Sequence, residues 1–153
     1  MPLLLAVDHF VWGTLSPHDL PAIASAAIDQ GYFSPSLSEL ALMTHPVASE
    51  TEPLFVKALA ELGVSRPATL SAGRRIAGEY ARQIVHGEVS PYEGAKWIWL
   101  NVATNPSWPR DHSLDTFVYG ASEWDEVVGT SFQSEFERGI LEAAHELVAQ
   151  TTA

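Results

Sequence analysis

The sequence predicts an all-α fold, a single-domain bundle of about six or seven short helices over residues 1–153. Helix start and stop signals recur along the chain, and the apolar residues between them follow helical spacing. No stretch alternates apolar and polar residues as a strand does, and no Asn-Gly hairpin turn is present. Apolar residues make up 46% and charged residues 18% of the chain, a composition that supports a packed core.

Serine followed by proline marks the start of three predicted helices. Ser16-Pro17, Ser34-Pro35 and Ser90-Pro91 each place a capping hydroxyl before a proline that suits the first helical position. Glu93 completes a capping box with Ser90, and a second capping box is expected at Ser49-Glu50-Thr51-Glu52. Four glycines are expected to end helices as left-handed caps: Gly31, Gly63, Gly87 and Gly129.

Apolar spacing between these signals predicts where each helix lies. The expected helices cover residues 17–30, 35–44, 49–62, 68–86, 91–103 and 113–129, the last of these with a break near Gly120, and a final helix begins at about residue 132. The helix at 91–103 is apolar nearly all round, so we place it near the centre of the bundle, with the C-terminal helix packed across it.

Two segments are less regular. Residues 3–13 fit either a helix or a strand, and a helix is favoured because everything downstream is helical. Residues 104–112 contain two prolines and no periodicity, so they are expected to form the longest loop and could mark a subdomain break.

Composition excludes several classes of function. The chain has no cysteine, so disulfide scaffolds, thiolate zinc sites, iron–sulfur clusters and cysteine nucleophiles are excluded. The net charge of −11, with only eight Lys and Arg, argues against nucleic-acid binding. The apolar start of the chain has no basic region and is interrupted by Asp8 and His9, so we expect no signal peptide, no membrane span and a cytoplasmic location.

The negative charge is concentrated at both ends of the sequence. Residues 111–153 contain nine acids against Arg138, and residues 1–65 contain seven acids against Lys57. The stretch from Arg66 to Lys96 is slightly basic. This pattern fits internal pairing and solubility, and it also fits attraction toward a basic protein partner. A purely structural or homo-oligomeric role is a further alternative.

Catalytic and cofactor motifs are absent from the sequence. There is no glycine-rich phosphate loop, dinucleotide fingerprint, His-Glu-x-x-His or Gly-x-Ser-x-Gly, so we predict no cofactor and no catalytic residue. The alternative is a small metal-dependent hydrolase or a small-ligand-binding helical protein that uses His18, Asp19 and His86. A simpler explanation of Asp19 is its position beside a helix start, where aspartate is favoured.

Tryptophans and acids supply the candidate partner-binding residues. Trp97 points away from the main apolar face of its helix, and Trp108 lies in a proline-flanked loop. Glu123-Trp124-Asp125-Glu126 combines an aromatic ring with three carboxylates. Each has a structural alternative: Trp97 in a central core, Trp108 folded back as a lid, and 123–126 as a solvated acidic turn.

Several phrases of the sequence resemble a group of small, uncharacterised bacterial all-helical proteins. They are Gly31-Tyr32-Phe33-Ser34-Pro35-Ser36-Leu37-Ser38-Glu39-Leu40-Ala41, Ala58-Leu59-Ala60-Glu61-Leu62-Gly63, residues 87–99 and Ala121-Ser122-Glu123-Trp124-Asp125. The resemblance implies a bacterial, cytoplasmic setting and a helical fold, and it carries no activity. The absence of catalytic motifs, together with the charge pattern, favours a non-catalytic protein-binding module, such as an immunity-like or antitoxin-like inhibitor of a basic partner.

Overall fold

The structure is a computed structural model that describes residues 1–152, and these residues form helices joined by turns, with no strand. The predicted all-α class is confirmed. In chain order the α-helices are α1 Leu3–Trp12, α2 Leu20–Asp29, α3 Pro35–Ala41, α4 Ala48–Leu62, α5 Thr69–Val85, α6 Pro91–Ile98, α7 Asp115–Ser122, α8 Trp124–Val127 and α9 Gln133–Thr152. A 3-10 turn over Pro17–Asp19 precedes α2, and a π-helical turn over Trp99–Ala103 continues α6.

The expected count of six or seven helices is too low, because the described residues contain nine α-helices. The ambiguous start of the chain is a helix, α1, which ends at Gly13 with φ 88°. The segment predicted as one helix over 113–129 divides into α7 and α8, since Glu123 takes φ −94° and ψ 4° and interrupts the helical geometry.

The chain divides into two compact units, one from Met1 to Ala72 and the other from Gly73 onward. Helix α5 begins in the first unit and continues in the second. The loop expected at 104–112 lies within the second unit, and its residues form turns and bends between α6 and α7.

The core of the first unit is built by α1, α2, α3 and α4. Helix α3 packs against both α2 and α4. The ring of Phe10 meets the fully buried ring of Phe55 edge to face, with centroids 5.3 Å apart. The buried residues of this core are Leu3, Val7, Leu20, Ala24, Ala27, Leu37, Leu40, Phe55, Ala58 and Leu59. Along each helix these residues fall on one face at helical spacing.

The N-terminus of α3 is satisfied by two side chains. The hydroxyl oxygen of Ser34 accepts the amide of Leu37 at 3.0 Å, as the Ser-Pro signal predicts. The carboxylate of Glu61 accepts the amide of Ser36 at 3.0 Å and its hydroxyl at 2.7 Å. Pro35, at the first helical position, has no amide hydrogen to satisfy. Helix α3 is therefore tied by its free amides to α4, which carries Glu61.

The capping box expected at residues 49–52 does not form. Helix α4 begins one residue earlier, at Ala48, and its N-cap is Val47, which has no capping side chain. The hydroxyl of Thr51 donates to the carbonyl oxygen of Val47 at 3.0 Å, and Thr51 is fully buried. The hydroxyl of Thr51 therefore bonds back to the N-cap residue, and Ser49 lies inside the first turn instead of capping the helix.

In the second unit, α6 contacts α7 and α9, as the predicted crossing of the C-terminal helix requires. Ala95, Ile98 and Val102 are fully buried on one side of α6 and its π-helical extension. Leu100 is 50% exposed, so this segment is not enclosed by protein on every side. Gly94 lies against Ile84 so closely that a Cβ at residue 94 would lie 2.2 Å from Cγ1 of Ile84.

We expect Glu61→Ala to destabilise the protein near neutral pH, because the buried amide of Ser36 would lose its acceptor. The backbone hydrogen bond from Ser36 is the main reason that the pKa of Glu61 lies below its ordinary value of 4.5. Because the pKa of Glu61 is lower in the folded protein than in the unfolded chain, the stabilisation is complete above the unfolded-state pKa and is lost as the pH falls through the folded-state pKa.

Urea unfolding of the wild type and Glu61→Ala near pH 7 and at successively lower pH checks this. The gap between their midpoints should narrow on acidification. Glu52→Ala is the matched control, since Glu52 is exposed on the same helix and has no side-chain partner among residues 1–152. A gap that stays constant with pH would contradict the charge-dependent cap.

Two glycine substitutions should have opposite effects on stability. Gly94→Ala forces a Cβ into Ile84, and overpacking of this kind costs about 1–3 kcal/mol, which exceeds the helix propensity gained. Gly139→Ala places its Cβ where no atom lies within 4 Å, so it should stabilise α9 by up to about 1 kcal/mol. Thermal unfolding of both variants measures the two signs, and a stabilised Gly94→Ala would show that α6 and Ile84 are not held at this separation.

Candidate functional site

Two of the candidate tryptophans pack against tyrosines of the second unit. The indole of Trp124 stacks on the ring of Tyr92, with centroids 4.9 Å apart and planes 12° apart. The ring of Trp97 lies 5.5 Å from that of Tyr80. Both tryptophans are half-buried. One face of each ring is thus taken by packing, and a partner would meet only the remaining part.

The three acids around Trp124 are exposed. Glu123 stands between α7 and α8, and Asp125 and Glu126 lie in the first turn of α8. None of these carboxylates has a side-chain hydrogen bond or an ion pair within residues 1–152. Exposed carboxylates without partners add a negative potential to this surface instead of fastening one helix to another.

Exposed apolar side chains that the sequence analysis did not name as partner-binding residues lie on α7 and in the turn between α8 and α9. Tyr119 is 61% exposed on α7, and its ring lies 5.4 Å from that of Phe136 on α9. Phe132 is 58% exposed and Val128 is 48% exposed in the turn between α8 and α9. Helical spacing in the sequence predicts Phe132 on the apolar face of the last helix, but this prediction is wrong: Phe132 is exposed and precedes α9, which begins at Gln133.

The turn that carries Phe132 and Val128 is held by hydrogen bonds. The hydroxyl of Thr130 donates to the carbonyl oxygen of Val127 at 2.6 Å and accepts the amide of Phe132 at 3.2 Å. The amide of Gly129 donates to the side-chain oxygen of Gln133 at 2.9 Å. Two apolar side chains are therefore displayed to solvent from an ordered backbone, and ordering them on binding costs little.

We call the exposed residues of these segments the acidic aromatic surface: Tyr119, Glu123, Asp125, Glu126, Val128, Phe132 and Glu135. Helices α7 and α8 both contact α9, so the segments belong to one packed group. Monomeric proteins expose single apolar side chains routinely, whereas neighbouring exposed apolar residues bordered by charge are typical of interaction sites.

Trp108 lies elsewhere in the second unit. It is half-buried and lines a cavity of about 490 Å³ formed by the loop after the π-helical turn and by the start of α7. Its backbone is fixed by a turn in which the amide of Trp108 donates to the carbonyl oxygen of Asn105 at 3.0 Å. Trp108 therefore lies on a different segment from the acids at 123–126, and its partner-binding role stays a prediction.

The residues of the alternative metal site have other neighbours. His18 and Asp19 are exposed in the 3-10 turn of the first unit, where the hydroxyl oxygen of Ser16 accepts the amide of His18. Nδ1 of His86 lies 2.9 Å from Nη1 of Arg82 in the second unit. Among residues 1–152 no group of three or more His, Asp or Glu side chains is placed to hold a metal ion.

Arg82 is the centre of an ion-pair network. Its guanidinium donates to both oxygens of Glu79 at 2.9 Å and to those of Glu88 at 2.9 and 3.1 Å. The hydrogen bond from Arg82 is the main reason that the pKa values of Glu79 and Glu88 are lowered, and both carboxylates raise the pKa of Arg82. Within the basic stretch of the sequence, Arg82 is therefore paired with carboxylates at and just after the end of its own helix.

No helix within the described residues is both long enough and apolar enough to cross a membrane. Comparisons of the chain with protein-family models, with curated proteins and with solved structures gave no match.

Proposed function

We propose that this protein is a non-catalytic protein-binding module whose acidic aromatic surface docks on a basic protein partner, as an immunity-like or antitoxin-like inhibitor would. A cytoplasmic location is part of the same proposal. The observation that carries it is the combination of unpaired carboxylates with exposed apolar side chains, two of which, Val128 and Phe132, lie on an ordered turn.

Charge indicates the chemistry of the partner. The carboxylates of Glu123, Asp125, Glu126 and Glu135 have no partner within residues 1–152. Residues 111–153 contain no lysine and one arginine, Arg138. Its Nε atom already lies 3.8 Å from Oε1 of Glu142. A partner must therefore bring the positive charge, and a second copy of this chain would bring more negative charge instead.

The exposed rings supply the contact area. Tyrosine and phenylalanine bury large apolar area with few rotatable bonds, and truncating such an anchor typically costs about 2 kcal/mol or more of binding free energy. The acids around them act at a longer range and speed the encounter with a basic surface. The proposal thus assigns affinity to Tyr119 and Phe132 and association rate to the carboxylates.

The charge part is tested on the basic protein retained from a native lysate at low salt, identified by mass spectrometry and then purified. We expect the triple variant Glu123→Gln, Asp125→Asn, Glu126→Gln to associate more slowly by about tenfold or more at low salt, with a smaller difference at high salt. The control Asp29→Asn, Glu50→Gln, Glu52→Gln removes the same charge from exposed positions of the first unit. Equal slowing by both triples, or the absence of any salt-sensitive basic partner, would contradict the proposed surface.

The contact part is tested by single truncations measured against the same purified partner. Tyr119→Ala and Phe132→Ala should each raise the dissociation constant about 30-fold, mainly through faster dissociation. Phe33→Ala is the control, because Phe33 is 76% exposed in the first unit and lies outside the proposed surface. Dissociation unchanged in both surface variants would show that the rings are bystanders.

A further inference from the structure

A cavity beside α7 is the second feature of this protein that needs an explanation, and it does not depend on the proposed partner. Its volume is about 490 Å³, within the range of roughly 300–1,000 Å³ typical of small-molecule sites. Its wall includes Trp108, Arg110, His112, Ser113 and Asp115. The rest of the lining is mixed, with Thr104 and Asn105 beside alanine, proline, leucine and valine, so an aromatic surface and several polar groups meet in one concave site.

The backbone on one side of this cavity departs from regular helix. The π-helical turn over Trp99–Ala103 ends at the cavity wall, where the amide of Thr104 donates to the carbonyl oxygen of Trp99 at 3.2 Å, five residues back. π-Helical turns are rare, and they occur frequently at functional sites. The residues of this turn differ from those that supply the charged groups of the wall.

The backbone on the opposite side is strained. His112 is the one non-glycine residue of the described chain with a positive φ, 62°. Such a conformation costs on the order of 1–3 kcal/mol and persists where the surrounding structure enforces it. Here the Nδ1 atom of His112 lies 2.8 Å from Oδ2 of Asp115, which fixes the ring at the cavity rim.

The carboxylates near the cavity already have partners. Asp111 accepts the hydroxyl of Ser113 at 2.6 Å and its amide at 3.1 Å, and these bonds lower the pKa of Asp111. Asp115 faces His112. Arg110, by contrast, has no ion pair or side-chain hydrogen bond among residues 1–152. Arg110 therefore presents an unpaired guanidinium at the cavity wall, although the surrounding sequence is strongly acidic.

We propose that this cavity binds a small planar organic anion, an aromatic or heteroaromatic carboxylate. The ring of the ligand lies against the indole of Trp108, and its carboxylate accepts the paired N–H groups of Arg110. A guanidinium matches a carboxylate with two parallel hydrogen bonds, and an aromatic face adds area at low entropic cost. A cationic ligand fits less well, because it would be repelled by the unpaired guanidinium of Arg110.

The experiment titrates the full chain with indole-3-carboxylate by calorimetry and follows the tryptophan indole N–H signals by NMR, with Trp108→Phe used to assign residue 108. We expect saturable binding with a dissociation constant of about 1 mM or tighter, and a shift of the Trp108 signal. The neutral indole-3-carboxamide and the cation tryptamine should bind about tenfold more weakly or not at all.

Matched arginine variants locate the anion. Arg110→Gln should weaken binding of indole-3-carboxylate about tenfold or more, whereas Arg138→Gln, an exposed arginine on α9, should leave it unchanged. Equal thermal unfolding of the two variants confirms that folding is not the cause. No saturable binding up to about 10 mM, equal binding of the amide or the amine, or equal affinity in Arg110→Gln would overturn the proposal. Loss of partner binding in the surface variants would leave this result untouched, since those variants keep the cavity wall.

Discussion

The need to satisfy the backbone at helix ends governs this structure more than any single contact. Nine α-helices within residues 1–152 give many ends, and each end leaves amides or carbonyls without intrahelical partners. The chain meets this with serine caps before proline, left-handed glycines and, at α3, a carboxylate from another helix. Six of these helices have ten residues or fewer, and helices this short are marginal alone, so their caps and their packing must act together.

The same requirement locates both candidate sites. The turn between α8 and α9 satisfies its own backbone through Thr130 and Gln133, which leaves Val128 and Phe132 facing solvent. The loop after α6 does so through a π-helical turn, the Asn105 turn and the Asp111–Ser113 pair, which leaves Arg110 over an open cavity. Function is proposed where the chain is irregular but ordered, as is usual for loops carried by helical scaffolds.

Local chemistry was predictable from the sequence, and long-range chemistry was not. Ser34 and Ser90 cap their helices as predicted, and Gly63 and Gly87 take the left-handed conformation. Glu61 lies 25 positions from Ser36, so no local signal shows that it caps α3. Phe132 follows the periodicity of α9, yet it lies in the turn before the helix starts and its ring is exposed. Trp124 and the acids beside it were identified, but the stacking on Tyr92 required the packing of α6 to be known.

The carboxylates around the exposed rings have a consequence for the free protein. Tyr119 and Phe132 are exposed aromatic side chains, and in a concentrated solution two copies of the protein would tend to associate through them. Like charges on the approaching surfaces oppose that encounter at neutral pH. The isoelectric point of the sequence is about 4.8, so this protection is weakest in mild acid. The same carboxylates that would recruit a basic protein therefore also maintain the colloidal stability of the chain while it is alone.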